Sequence, residues 1–141
     1  MCAQDRSPFA GARRQAVYTL PLYRVAGIYA PANGEFSSRP FALPAGGAQG
    51  LWLNADAAWK GNLVTGGCDE GCAAYIMVEL LTAADGRTVP GFERSKCVLM
   101  NTGGLQLPLR WQGAPAAPPA GTQVRLRFYF RDATIYAFGS D

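Results

Sequence analysis

Apolar and polar residues alternate most regularly near the end of the chain. Val124, Leu126, Phe128 and Phe130 are separated by Arg125, Arg127 and Tyr129. A period of two puts the first set on one face of a strand and the second set on the other. Asp132-Ala133 can reverse the chain, and Ile135 to Phe138 can supply a returning strand. The stretch therefore predicts an aromatic hairpin whose apolar face needs a cover.

Upstream segments supply material for that cover. Ala16 to Thr19 with Leu20-Pro21-Leu22-Tyr23 reads as a short strand or extended arm, which Val25 to Tyr29 continues. Pro31, Asn33 and Gly34 mark a turn. Glu35 to Leu43 reads as a strand, and Pro40 assigns it to an edge or a bulge. Leu51, Leu53, Ala55 and Ala57 share one strand face, opposite Trp52, Asn54 and Asp56. Lys60 to Gly71 is a glycine-rich loop. In Ala73 to Leu81 both faces are mostly apolar, which marks a central strand with Glu79 as its outlier. Asp85-Gly86 favours a hairpin loop. Lys96 to Met100 and Leu105 to Arg110 read as strands on either side of a turn at Asn101 to Gly104. The proline-rich run Gly113 to Gly121 cannot form a helix. About eight short strands with turn-rich spacing predict an all-β fold, an antiparallel two-sheet β-sandwich of jelly-roll type.

Composition narrows the class. A chain of 141 residues suits one domain, read as a flexible lead-in over 1–14 and a single β-sandwich domain over 15–141. A hydrophobic content of 49% supports a packed core rather than disorder. The net charge is +3 and no run of lysines or arginines occurs, so no nucleic-acid partner is expected. No apolar run reaches the roughly 18 residues of a membrane span. No signal-peptide hydrophobic region is visible at the start. That points to the cytoplasm for a complete chain and leaves an extracellular place open for a fragment of a secreted protein.

Candidate chemistry is sparse. The chain has no histidine, which removes the usual general base and any Ser-His-Asp or Cys-His arrangement. Cys68 and Cys72 bracket Asp69-Glu70-Gly71 and read as a small disulfide loop or as free thiols. They do not make a metal site, and no cofactor is expected. Glycoside hydrolysis needs two carboxylates about 5 Å or about 6.5–9.5 Å apart, and nothing in the spacing of Asp56, Glu79, Glu93 and Asp132 brings two into one cleft. Catalysis by this chain alone is therefore not the favoured reading. Glu79 within an apolar strand needs a partner such as Arg127 or Arg110. Asp132, beside Arg131 and near Arg127, is expected to cap its turn. Trp52, Trp59 and Trp111, with Tyr75, Tyr129 and Tyr136, can form a sugar-stacking platform with Asn54 and Asp56 bonding to hydroxyls. The same aromatics can instead fill a core or an interface.

The order of several segments resembles a known family. These are Gly50 to Ala57, Ala84 to Arg87, Pro90 to Glu93, Val124 to Phe128 and Arg131 to Phe138. Together they resemble the C-terminal β-sandwich region of bacterial proteins related to the five-bladed-propeller glycoside hydrolases, the invertase- and levanase-like group, over about Glu35 to Phe138. The resemblance implies that catalysis belongs to a propeller that this chain lacks. It implies a non-catalytic accessory domain that packs on a glycosidase-like domain or another protein partner. The alternative is a carbohydrate-binding module that takes an oligosaccharide on surface aromatics. A small stand-alone glycoside hydrolase is a third reading.

Overall fold

The computed structural model describes residues 24–58 and 73–140. The expected lead-in, the strand from Ala16, Trp59 and the Cys68–Cys72 loop lie outside the described residues. The described residues form seven strands: β1 Ile28–Ser37, β2 Phe41–Ala42, β3 Leu51–Asp56, β4 Tyr75–Thr82, β5 Val98–Met100, β6 Gly103–Pro108 and β7 Gln123–Ser140. They form one antiparallel sheet curled into a half-barrel. The two-sheet jelly-roll sandwich expected from the sequence is not the fold. The reason lies at Asp132, where the chain does not reverse: β7 runs straight through as a single 18-residue strand.

β7 is paired along both edges. β1 lies on one edge, from Ile28 opposite Ile135 to Ser37 opposite Arg127, and β2 extends that edge at Phe41 and Ala42. The other edge is shared. β4 pairs with the first half of β7, Thr82 opposite Val124 to Tyr75 opposite Arg131, and β3 pairs with the second half, Asp56 opposite Thr134 to Leu51 opposite Ser140. β5 then adds to β4, and β6 to β3.

Two irregularities along β7 accompany the curl. Asp132 adopts a left-handed φ of 45°. Around it the register with β1 steps from Ala30–Ala133 to Asn33–Arg131, so that Pro31 and Ala32 of β1 stand opposite Asp132 alone. The second lies at Tyr136, where Asn54 pairs with Ala137 but Ala55 pairs with Ile135. Such bulges bend a strand and tighten its twist. Each also shifts the alternation by one residue. Val124, Leu126, Phe128 and Phe130 are buried, then Ala133 and Ile135, and then Phe138 packs against the same core.

The concave side holds that core. Leu53, Ile76, Val78, Leu80, Leu126 and Phe128 have no exposed surface. Phe36 stacks on Phe128 at 4.8 Å, Phe138 sits 5.6 Å from Phe128, and Phe41 is 5.7 Å from Phe138. Loop residues complete the cover that a second sheet was expected to provide. Trp111 packs 5.4 Å from Phe92 and donates its Nε1–H to the Val78 carbonyl at 2.9 Å. Beyond β1, Ser38 continues the ladder: its N–H donates to Leu126 O, and its hydroxyl accepts from Leu126 N–H at 3.0 Å.

The bulged region of β3 is tied together by Arg24. Its Nε donates to Asn54 Oδ1 at 2.9 Å, and its Nη2 donates to the carbonyls of Ala55 at 3.0 Å and Gly104 at 3.2 Å. The guanidinium lies 4.7 Å from the centre of the Tyr136 ring. The extra residue of one bulge is thus held against carbonyls that the shifted registers leave available.

Arg24→Ala removes a donor from these carbonyls and is expected to lower stability by about 2–3 kcal/mol in chemical denaturation. A loss below about 0.5 kcal/mol would show that the clamp is dispensable. At the other bulge, Asp132→Gly should be nearly neutral. Asp132→Val, which forces a β-branched residue into the left-handed region, should cost about 1–2 kcal/mol or more. Equal stability of the two variants would contradict the bulge geometry.

Candidate ligand-binding groove

The outward positions of β7 carry polar and aromatic side chains, and the registers align them with those of neighbouring strands. One cross-strand row is Glu35, Tyr129, Met77 and Val98. The next is Asn33, Arg131, Tyr75 and Met100. The preceding row is Ser37, Arg127 and Glu79. A groove of about 690 Å³ lies over the first two of these rows, lined by Tyr75, Met77, Val98 and Tyr129 together with Asn33, Glu35 and Arg94. Arg94 arrives from the 3-10 turn Arg94–Lys96 and places its guanidinium 4.4 Å from the centre of the Tyr129 ring. The Tyr75 hydroxyl donates to Asn33 Oδ1 at 3.1 Å.

Glu79 anchors this surface from below. It is buried, at 7% exposure. Its Oε1 accepts from the Tyr129 hydroxyl at 2.8 Å and lies 3.5 Å from Arg127 Nη1, while Oε2 accepts from Thr88 Oγ1 at 3.2 Å. A carboxylate so placed has its charge and lone pairs met, which offsets the cost of burying it. Arg127 also donates to Ser37 Oγ and to the Tyr129 hydroxyl, each at 3.3 Å, and lies 3.8 Å from Glu35. The hydrogen bond to Tyr129, with the charges of Glu79 and Glu35, raises the pKa of Arg127. The network holds Tyr129 in one orientation and presents its ring to the groove.

The other residues singled out by sequence are dispersed. Trp111 is in the core. Asn54 is fully buried and serves Arg24. Asp56 accepts the Ala58 N–H at 3.1 Å. Trp52 is half-buried and lies against Gly139, where an added Cβ would sit 2.5 Å from its Cζ2. The structure therefore does not gather Trp52, Asn54, Asp56 and Trp111 into one platform, and Trp59 lies outside the described residues. Asp132 accepts from the Tyr29 hydroxyl at 3.2 Å on the exposed side of its bulge. Arg131 joins the groove row through Tyr75. Glu93 is tied locally: its Oε1 accepts the Gly91 N–H at 2.9 Å, a bond that holds its pKa down, and Lys96 lies 3.1 Å from its Oε2.

Glu35 and Arg94 are groove residues that sequence reading did not single out. The alternation of Asn33, Glu35 and Ser37 was the available signal for Glu35, but the turn residues at Pro31 to Gly34 masked the strand. Arg94 carried no signal, because a 3-10 turn brings it over β7.

The carboxylates near the groove are engaged by neighbouring side chains. Glu79 is enclosed by Tyr129, Arg127 and Thr88, and Glu35 faces Arg127. Among the described residues, no group of three or more His, Cys, Asp and Glu side chains converges as a metal site. No family model, no curated protein and no solved structure matches the chain. The likeness to propeller glycosidases thus rests on motif order alone, and the sandwich it implied is replaced by a half-barrel.

Cys97 is equally unsuited to nucleophilic chemistry. It is a buried free thiol whose pKa burial pushes up to about 11. Since the thiolate is the reactive form, peptide-mapped alkylation at pH 8 should leave Cys97 unmodified in native protein and label it fully after denaturation. Rapid native labelling at Cys97 would show that the core opens there.

Proposed function

We propose that this chain is a non-catalytic carbohydrate-binding module that holds an oligosaccharide in the Tyr75–Tyr129 groove. The observation that carries this reading is the mixed lining of the groove. Two tyrosines and Met77 offer apolar faces, and Asn33, Glu35 and Arg94 stand beside them with both acceptors and donors. Sugars present C–H faces edged by hydroxyls, so a floor for stacking with flanking polar groups is complementary to them. The bonds from Glu79 to Tyr129 and from Tyr75 to Asn33 favour binding, since side chains ordered beforehand lose less entropy on contact.

A second reading keeps the chain as an accessory domain that packs on a glycosidase-like module. It is favoured by Val98 and Met100, 39% and 54% exposed on β5 beside the groove. Exposed apolar side chains at a sheet edge suit a protein interface.

Calorimetric titration with fructo-, gluco-, galacto- and uronate oligosaccharides tests the first reading. At least one series should bind saturably, and Tyr75→Ala should weaken it tenfold or more, about 1.4 kcal/mol, with the fold intact by circular dichroism. Absence of binding across the panel, or binding indifferent to Tyr75, would overturn it. Under the second reading, Val98→Asp should abolish association with a glycosidase domain supplied in trans, and association that survives the substitution would count against that reading.

A further inference from the structure

We propose that the ligand of this groove is an acidic oligosaccharide, a chain carrying carboxylate or sulfate groups, laid along β7. The inference rests on the carbohydrate reading above and narrows it to a substrate class.

The outward residues of β7 before the first bulge are Arg125, Arg127, Tyr129 and Arg131. Alternate residues of a strand stand about 6.6 Å apart, so Arg125 and Arg131 are separated by about 20 Å along a nearly straight line. Arg94 adds a fourth guanidinium over Tyr129. Against these four stand Glu35 and Glu79, which both lie against Arg127, and Asp85, which pairs with Arg87. The surface thus keeps an excess of positive charge that a neutral sugar would not use.

Arg125 gives an independent sign of an absent partner. Its Nε is buried and has no hydrogen-bond partner among the described residues. Arg125 and Arg127 border a hollow of about 270 Å³ between Ser37 and the Ala83–Gly86 turn. This hollow adjoins the groove through Arg127 and its neighbour Tyr129. Asp85 at its rim is engaged elsewhere, with Thr82 and with Arg87 at 3.3 Å, and the hydrogen bond from Thr82 keeps it ionised by lowering its pKa. An acidic group seated in the hollow would meet the guanidinium groups of Arg125 and Arg127 that line it, and a second would reach Arg94 or Arg131 at the far end of Tyr129. Guanidinium groups bind carboxylates and similar oxyanions with paired, charge-assisted hydrogen bonds.

A nucleic acid fits less well. The backbone of DNA has no donor for Glu35 and Asn33, whereas the ring hydroxyls of an oligosaccharide can donate to both.

The test compares matched pairs by calorimetry: oligogalacturonate with its methyl ester, and dextran sulfate oligomers with dextran oligomers. A single-stranded oligonucleotide serves as control. In at least one pair the acidic member should bind tenfold or more tighter at low ionic strength, and added salt should erode the preference. Arg125→Gln should reduce the preference several-fold while leaving the affinity for the neutral member unchanged, and Arg131→Gln should also reduce the preference several-fold. Equal binding within both pairs would overturn this proposal and leave the carbohydrate reading standing. Failure of every sugar to bind would overturn both. An oligonucleotide that binds tighter than the acidic sugars would also overturn it, in favour of a phosphate-bearing ligand.

Discussion

The backbone of β7 is the constraint on which the rest of the structure depends. Its two edges satisfy β1 and β2 on one side and β4 and β3 on the other, and β5 and β6 attach only through β4 and β3. A strand of this length would leave a flat sheet open on both faces. The bulges at Asp132 and Tyr136 bend it, so that β3 and β4 share one edge of β7 yet diverge from each other. The curl brings Phe36, Phe128 and Phe138 into one aromatic cluster, and the core closes against loop residues rather than a second layer.

The same strand turns one face to the core and the other to the surface. Its inward residues are apolar and account for the middle of the core, while its outward residues are arginines and a tyrosine. Because period two assigns the faces, the groove inherits the rigidity of the core behind it. Glu79 links the two sides: it is buried like a core residue, but its hydrogen bonds fix Tyr129 on the outer face. A carboxylate held by a tyrosine, a threonine and an arginine is well placed to organise that surface.

Several features of this arrangement were legible in the residues themselves. The alternation from Val124 to Phe130 identified both faces of the strand that proved central. The inward set of β3, Leu51, Leu53 and Ala55, followed from the same rule, whereas β4 read as apolar on both faces and only the fold turned Ile76, Val78 and Leu80 inward. The need of Glu79 for a cationic neighbour was legible as well, since an acidic residue in an apolar strand has few other solutions. Tyr75 and Tyr129 could be named as ring candidates, but not set apart from tryptophans with other tasks.

What the sequence determined by itself is local: which residues alternate, which cannot be helical, and which polar side chain would be costly to bury alone. The tertiary structure decided the rest, because those outcomes depend on partners distant along the chain. Asp132 tolerates the left-handed conformation of a turn and of a bulge alike, and the choice was made by strands pairing on both edges of β7. Trp111 and Trp52 carry no mark of inside or outside, and their places were set by Phe92 and by the bare backbone at Gly139. Arg24 lies thirty residues from Asn54 and eighty from Gly104, so no spacing rule could have joined them. Hydrophobic periodicity acts over a few residues, whereas register and curl are settled only when every strand competes for the same hydrogen-bonding edges.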